Sequence, residues 1–107
     1  MGAFDEREEG FEKRFAVEEA LNFKARARRA KLLGLWAAEL AGKSGADAEA
    51  HAKALVAAQV EKSDDETLFA ALRADLDRAG VKISDHRIRR KMEETLATAR
   101  AEIAAGR

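Results

Sequence analysis

Residues that could perform catalysis or bind a metal ion are few, and each has a simpler structural explanation. Gly42-Lys43-Ser44 matches the end of a phosphate-binding P-loop, but Ala37 replaces the upstream glycine and a helix precedes the motif. Neither His51 nor His86 has a second histidine or a cysteine at metal-ligand spacing. Adjacent carboxylates such as Asp64-Asp65 are typical of helix caps. We therefore predict no catalytic residue, no metal site and a protein that is not an enzyme.

Two basic runs, residues 24–31 and residues 86–91, are the other candidates for chemistry. As exposed helix faces they would form ion pairs with acidic neighbouring helices; as functional surfaces they would dock on an acidic protein or hold nucleotide phosphates. Residues 68–91 loosely resemble a helix-turn-helix, but the formal net charge is +0 at pH 7. Because DNA binding depends on a net basic surface, we predict no nucleic-acid partner.

The composition indicates a helical protein of one domain. The 107 residues include no cysteine and no proline, and 37% are charged. No apolar run approaches the ~20 residues that a membrane-spanning helix requires. The acidic N-terminal residues lack the basic start and apolar run of a secretory signal. We therefore expect a cytoplasmic protein without direct membrane insertion.

Glycines and capping residues divide the chain into four predicted helices, at about residues 17–41, 46–61, 64–79 and 85–105. Gly80 is placed for a left-handed helix end, Ser84 for a helix start, and Ser63 with Glu66 for a capping box. Short connections favour antiparallel neighbours, so the predicted fold is an all-α four-helix bundle with a flexible N-terminal arm.

Apolar residues recur at helical spacing in all four predicted helices, and one face of each is expected to form the core. The predicted core residues are Leu21, Ala25, Leu32, Leu35, Trp36, Leu40, Ala48, Ala52, Leu55, Val56, Gln59, Leu68, Leu72, Leu76, Ala79, Ile88, Met92, Leu96, Ala99 and Ile103.

The N-terminal segment differs from the rest of the chain. We divide the sequence into a mobile amphipathic arm, residues 1–16 and extending to about residue 19, and a bundle domain, residues 17–107. Phe4, Phe11 and Phe15 fall within about 40° of each other on a helical wheel at 100° per residue. Two interpretations remain: a frayed helix start whose phenylalanines enter the bundle, or a segment that folds in a groove of a partner.

Several segments resemble one known family along nearly the whole chain. They are residues 11–16 (FEKRFA), 23–29 (FKARARR), 31–40 (KLLGLWAAEL), 75–77 (DLD), 80–81 (GV) and 84–90 (SDHRIRR). These segments are similar to the zeta subunit family, which are small inhibitor proteins of the alphaproteobacterial F-type ATP synthase.

The resemblance implies a regulatory inhibitor whose arm folds into the catalytic alpha/beta interface, near the gamma stalk, and blocks rotation in the ATP-hydrolysis direction. The expected location is the cytoplasmic face of the inner membrane, where the protein is peripheral through the ATP synthase. The implied aromatic anchors are Phe4, Phe11 and Phe15, and the implied polar contacts are Asp5, Glu8, Glu9, Glu12, Lys13 and Arg14.

The resemblance also implies an alternative function for the bundle. Some members of the family inhibit hardly at all, and Gly10 would lower the helix stability of the arm by roughly 0.5–1 kcal/mol relative to alanine. The alternative is a weakly inhibitory or non-inhibitory member that acts as a small nucleotide-binding or scaffold bundle. No cofactor is required, and weak binding of ATP or ADP would use Lys24, Arg28 and Arg89.

Overall fold

The computed structural model describes the backbone from residue 3 to residue 107 and the side chains of residues 13, 14 and 16–107. Four helices occur in this part of the chain: α1 (Ala3–Leu40), α2 (Gly45–Glu61), α3 (Asp65–Arg78) and α4 (Asp85–Ala104). The described residues contain no strand, which confirms the all-α prediction. None of these helices combines the length and the apolar character needed to cross a membrane.

The helix ends follow the predicted glycine and capping positions. Gly80 has φ +74°, and the amide of Val81 donates to the carbonyl of Leu76 at 2.9 Å, which closes the end of α3 as predicted. Ser84 starts α4 because its side-chain oxygen accepts a hydrogen bond from the amide of Arg87 at 3.1 Å. Both glycine and serine therefore satisfy backbone groups that the helices leave unpaired.

The capping box predicted for Ser63 and Glu66 is wrong by one residue. Asp64 is the N-cap residue, and α3 begins at Asp65. Asp64 makes no cap hydrogen bond of standard geometry, but hydrogen bonding with Thr67 lowers the pKa of its carboxyl. The carboxylate of Asp64, rather than the predicted hydroxyl of Ser63, therefore lies at the positive end of the helix dipole.

The core lies where α1 contacts all three other helices. Leu33, Leu72, Leu76 and Ile88 are fully buried, and Leu68, Leu55 and Met92 pack with them. The other buried residues are Ala25, Arg29, Ala30, Ala37, Ala38, Ala52, Gln59, Thr95 and Ala99. The predicted core is confirmed for most of α2, α3 and α4.

Three predicted core residues are exposed, and the core face of α1 is rotated. Leu21 and Leu40 are 43% and 41% exposed, and Ala79 is also exposed. Leu21 lies before the first buried residue of α1, whereas Leu40 and Ala79 lie at helix ends, so no neighbouring helix covers them. Leu33 lies at the centre of the buried face of α1, while Leu35 and Trp36 are only half-buried.

The first helix begins earlier than predicted, at Ala3 rather than at about residue 17. No proline removes a helical hydrogen bond in this stretch, and strong helix formers surround Gly10. The division of the chain into an arm and a bundle at about residue 16 stays a prediction, as does the flexibility of the arm.

A close contact fixes the distance between α1 and α2. Gly34 is buried, and a Cβ atom placed on it would lie 2.7 Å from the Cα atom of Ala52. No side chain fits in this space, so the two backbones approach each other only because both positions hold small residues.

Candidate partner-binding arm and surface clefts

The N-terminal part of α1 extends far beyond the bundle core. Ala25 is the first buried residue among the described residues of the chain. From Ala3 to Ala25 the helix spans about 33 Å at 1.5 Å per residue. Lys13, Arg14 and residues 16–21 are all exposed. Over these described residues, the bundle therefore does not cover the helix.

Two of the predicted arm contacts can be located. The side chains of Lys13 and Arg14 are exposed on α1, where they are accessible to a partner. The side chains of the other predicted contacts lie outside the described residues, and their roles stay predictions; they are Phe4, Asp5, Glu8, Glu9, Phe11, Glu12 and Phe15.

Large apolar side chains are exposed where the arm meets the bundle. Val17, Leu21 and Phe23 of α1 are 59%, 43% and 56% exposed, and Val60 of α2 is 52% exposed. Phe23 and Val60 line the same surface depression of about 210 Å³. Contiguous exposed apolar groups mark contact surfaces. Sequence reasoning missed this one because it counted Leu21 as core.

A second depression lies beside this apolar surface, and we call it the basic cleft. It has a volume of about 550 Å³ and is formed by α1, α2 and the end of α4. Arg28 donates to the Glu102 carboxylate at 2.8 Å and to the Arg107 carbonyl at 2.7 Å, which joins α1 to the C-terminus. The residues that line the cleft are Leu21, Phe23, Lys24, Ala27, Arg28, Lys31, Val56, Ile103, Gly106 and Arg107.

The three residues predicted to bind nucleotide do not come together. Lys24 and Arg28 line the basic cleft. Arg89 donates to both carboxylate oxygens of Glu66, at 2.9 and 3.3 Å, and its guanidinium lies 3.9 Å from the centre of the Phe69 ring. Arg28 pairs with Glu102 on α4, and Glu102 lies 13 residues, or about 20 Å, along this helix from Arg89. Arg28 and Arg89 are therefore near different ends of α4.

The environment of Arg89 explains why it is held apart. Its hydrogen bonds to Glu66 raise the pKa of the guanidinium, and the ring of Phe69 stabilises the cation further. An arginine engaged in this way joins α3 to α4, and a phosphate would have to displace Glu66 to reach it.

A third depression, the Trp36 cleft, combines an aromatic ring with cations. Its volume is about 510 Å³, and the ammonium of Lys91 lies 5.8 Å from the centre of the Trp36 ring. Sequence reasoning noted the basic run but assigned Trp36 to the core, so it did not join the two. The lining residues are Trp36, Ser84, His86, Arg87, Arg90, Lys91 and Glu94.

Arg29 is a buried cation that the sequence analysis placed on an exposed basic face. Its side chain is 2% exposed and donates to the Asp65 carboxylate at 2.8 Å, while its Nε has no partner among the described residues. Arg29 stands one helical turn from both Ala25 and Leu33, and this spacing was the signal for burial. Its ion pair attaches α1 to the first turn of α3, which is a structural role.

The sequence model of the family described as ATPase inhibitor subunit zeta matches residues 1–102. The chain belongs to the ATPase inhibitor subunit zeta family. Membership confirms the resemblance of the sequence segments, and it indicates an inhibitory role toward an ATPase and association with the ATP synthase complex.

A solved structure shows the same fold. One protein with a solution NMR structure matches this chain with a TM-score of 0.69 at 38% sequence identity, over 81% of this chain and 99% of its own. Three chains of solved structures match in all. No curated protein sequence matches.

Proposed function

We propose that this zeta family member is a regulatory subunit that blocks the F-type ATP synthase in the hydrolysis direction only. The arm of α1 inserts at the catalytic alpha/beta interface close to gamma, with Phe4, Phe11 and Phe15 as anchors. The bundle stays outside, and the protein is held peripherally at the cytoplasmic face of the inner membrane through the complex.

The observation that carries this proposal is the N-terminal extension of α1, which is exposed at residues 13, 14 and 16–21. About 33 Å of helix precedes Ala25, the first buried residue among the described side chains. A helix of this length reaches into a groove between two subunits while a bundle that is 26 Å across in its second dimension remains outside. Amphipathic helices bind grooves through apolar residues that recur on one face, and Phe4, Phe11 and Phe15 do so at i, i+7 and i+11.

The expected one-way action follows from differential binding. A catalytic interface changes shape during turnover, so it accepts the arm well only in some of its states. The arm then stabilises those states by the difference in its affinity for them and for the others. Rotation in the synthesis direction opens the interface and releases the arm, whereas rotation in the hydrolysis direction closes the interface on it.

The test is ATP hydrolysis by an alphaproteobacterial ATP synthase depleted of its own zeta subunit. The additions are the intact chain, a chain without residues 1–19 and the double variant Phe11→Ala/Phe15→Ala. We expect hydrolysis to fall with the intact chain only, while ATP synthesis continues. Leu40→Ala is the matched control, because Leu40 is an exposed apolar residue at the opposite end of α1 from the arm.

Equal inhibition by the intact and truncated chains would assign inhibition to the bundle and contradict the role of the arm. Binding without any loss of hydrolysis would identify a non-inhibitory member of the family.

The Trp36 cleft favours a second candidate function, weak binding of ATP or ADP by the bundle. We propose this cleft rather than the set Lys24, Arg28 and Arg89, because one site here offers a ring for base stacking and cations for phosphates. Arg87, Arg90 and Lys91 surround the start of α4, where the helix dipole also favours negative charge.

Trp36 is the only tryptophan of the chain, so its fluorescence reports on the cleft directly. We expect ATP or ADP to change this fluorescence in a saturable manner, and Arg87→Ala/Lys91→Ala to weaken binding at least tenfold. Arg100→Ala, on the same helix but outside the cleft, is the control. Unchanged fluorescence, together with no nucleotide-dependent shift of amide resonances around the cleft, would exclude this site.

A further inference from the structure

We propose that the arm of the free protein folds back onto the basic cleft of its own chain and is thereby withheld from the ATP synthase. This inference rests on the proposed function only in taking the arm as the inhibitory segment. The occupant is residues 4–15 of the same chain, and the docking surface is the cleft formed by α1, α2 and the end of α4.

The basic cleft offers an apolar floor and cations without partners. Leu21, Val56 and Ile103 supply apolar surface, and Leu21 is 43% exposed. Within the described part of the chain, Lys24 and Lys31 form no ion pair, and Arg28 pairs with Glu102 beside them. A surface of this kind fits an amphipathic segment that carries negative charge beside apolar side chains.

The arm has the complementary sequence. Residues 5–12 include five acidic residues and one basic residue. On a helical wheel, Asp5, Glu8 and Glu12 fall directly beside the stripe of Phe4, Phe11 and Phe15. The arm therefore combines aromatic and acidic groups on one side.

The spacing of the charges also matches. Asp5, Glu8 and Glu12 span seven residues, and so do Lys24, Arg28 and Lys31, which is about 10.5 Å of helix in each case. In an antiparallel arrangement, Glu12 falls opposite Lys24 and Asp5 falls opposite Lys31. Glu8 then falls opposite Arg28, whose present carboxylate partner is Glu102.

Docking requires a turn in α1. In a straight helix the register of Phe4, Phe11 and Phe15 is the register of Arg29 and Leu33, which face the core, whereas Lys24 and Lys31 lie on the opposite side. An arm that remains straight therefore cannot present its phenylalanines to this cleft. A reversal of the chain between residues 15 and 21 removes this conflict.

The segment that must turn is poorly supported in the helical state. Residues 16–21 are all exposed, so no core contact is lost when their helical hydrogen bonds open. Two antiparallel helices need a connection of only about two to five residues. The arm is also tethered to the cleft, and a short tether gives an effective concentration of about millimolar. These two features make the fold-back state accessible and reversible.

Distance measurement between two spin labels tests the fold-back state without any ATP synthase, so its failure is separate from failure of the proposed function. The chain has no cysteine, which allows Glu6→Cys and Arg100→Cys to carry the labels. In the straight helix the labels are about 36 Å apart, because Arg100 lies beside residue 30 of α1. Docking of the arm brings them to within roughly 20 Å, the width of two neighbouring helices with labels. We expect to observe both distances, and we expect the fraction of molecules that show each distance to change with salt concentration.

Charge reversal identifies the docking surface. Lys24→Glu/Lys31→Glu is expected to reduce the short-distance population about tenfold, as the loss and reversal of two exposed ion pairs implies. Adding Glu12→Lys and Asp5→Lys to that variant restores the short distance. Lys53→Glu/Lys82→Glu, at exposed lysines outside the cleft, is the matched control and leaves the populations unchanged.

Three results would overturn the inference. The first is a single long distance at low salt, and the second is equal loss in the cleft variant and the control variant. The third is a short distance that appears between two singly labelled chains and grows with protein concentration, which would identify a second copy as the occupant. Circular dichroism confirms that each variant keeps the folded bundle.

Discussion

The two parts of α1 belong to one continuous helix but have opposite environments. From Ala25 onward the helix contacts α2, α3 and α4, and its buried side includes Ala30, Gly34 and Ala38, which permit close approach. Before Ala25 every described side chain except that of Asn22 is exposed. Four of the five phenylalanines of the chain belong to this first part.

This difference separates residues that hold the fold from residues available to a partner. Small residues predominate where the helix packs on its own chain, whereas the described aromatic side chain before this stretch, that of Phe23, is 56% exposed. Substitutions in the second part of α1 should therefore change folding, and substitutions in the first part should change inhibition.

Leu33→Ala should produce the largest loss of stability. Leu33 is fully buried at the centre of the core, and its truncation leaves a cavity that costs about 2–5 kcal/mol of unfolding free energy. Urea denaturation followed by circular dichroism measures the change. Leu40→Ala is the control on the same helix, where 41% exposure predicts a cost of less than about 1 kcal/mol. Similar costs at both positions would refute the assignment of the core face.

The same substitution at two glycines of α1 should have opposite effects. Gly34→Ala places a Cβ atom 2.7 Å from the Cα atom of Ala52, and the required separation of the helices should cost about 1–3 kcal/mol. Gly10→Ala should instead stabilise the helical arm by roughly 0.5–1 kcal/mol and strengthen inhibition of ATP hydrolysis. Thermal unfolding and hydrolysis assays on both variants distinguish the two effects. Equal stabilisation by both substitutions would mean that α1 and α2 are further apart.

The sequence predicted the number of helices, most of the core and the helix ends to within a few residues except the start of α1, because glycines, caps and apolar spacing act locally. It misplaced the core face of α1, since a helix in contact with three others buries a wide side that includes Ala30 and Arg29. The two clefts join residues far apart in sequence, such as Trp36 with Arg87, or Lys24 with Arg107. Local periodicity carries no information about such pairs, so the packing of α4 on α1 was needed to find them.

The ion pair between Arg29 and Asp65 should show an asymmetric response. Asp65→Ala leaves the buried guanidinium of Arg29 without its carboxylate and should cost about 1–3 kcal/mol. Arg29→Met removes the buried charge and keeps most of its apolar volume, so its cost should be smaller than that of Asp65→Ala. Urea denaturation of both single variants and of the double variant gives the coupling free energy between Arg29 and Asp65. A larger cost for Arg29→Met would indicate that the ion pair itself stabilises the attachment of α1 to α3.

The smallest effect on stability is expected for Phe11→Ala/Phe15→Ala. These residues precede Ala25, the first residue of α1 that is buried among the described side chains, and the proposed function assigns them to a partner. Their removal should therefore change the unfolding free energy of the bundle by about 0.5 kcal/mol or less, as for other surface substitutions. An arm that docks on the basic cleft for about half of the time fits within this limit, because an evenly balanced equilibrium contributes only about 0.4 kcal/mol. Denaturation and hydrolysis should be measured on the same preparation. Unchanged stability with lost inhibition assigns the two phenylalanines to a partner, whereas a loss of about 3 kcal/mol or more would place them in the core.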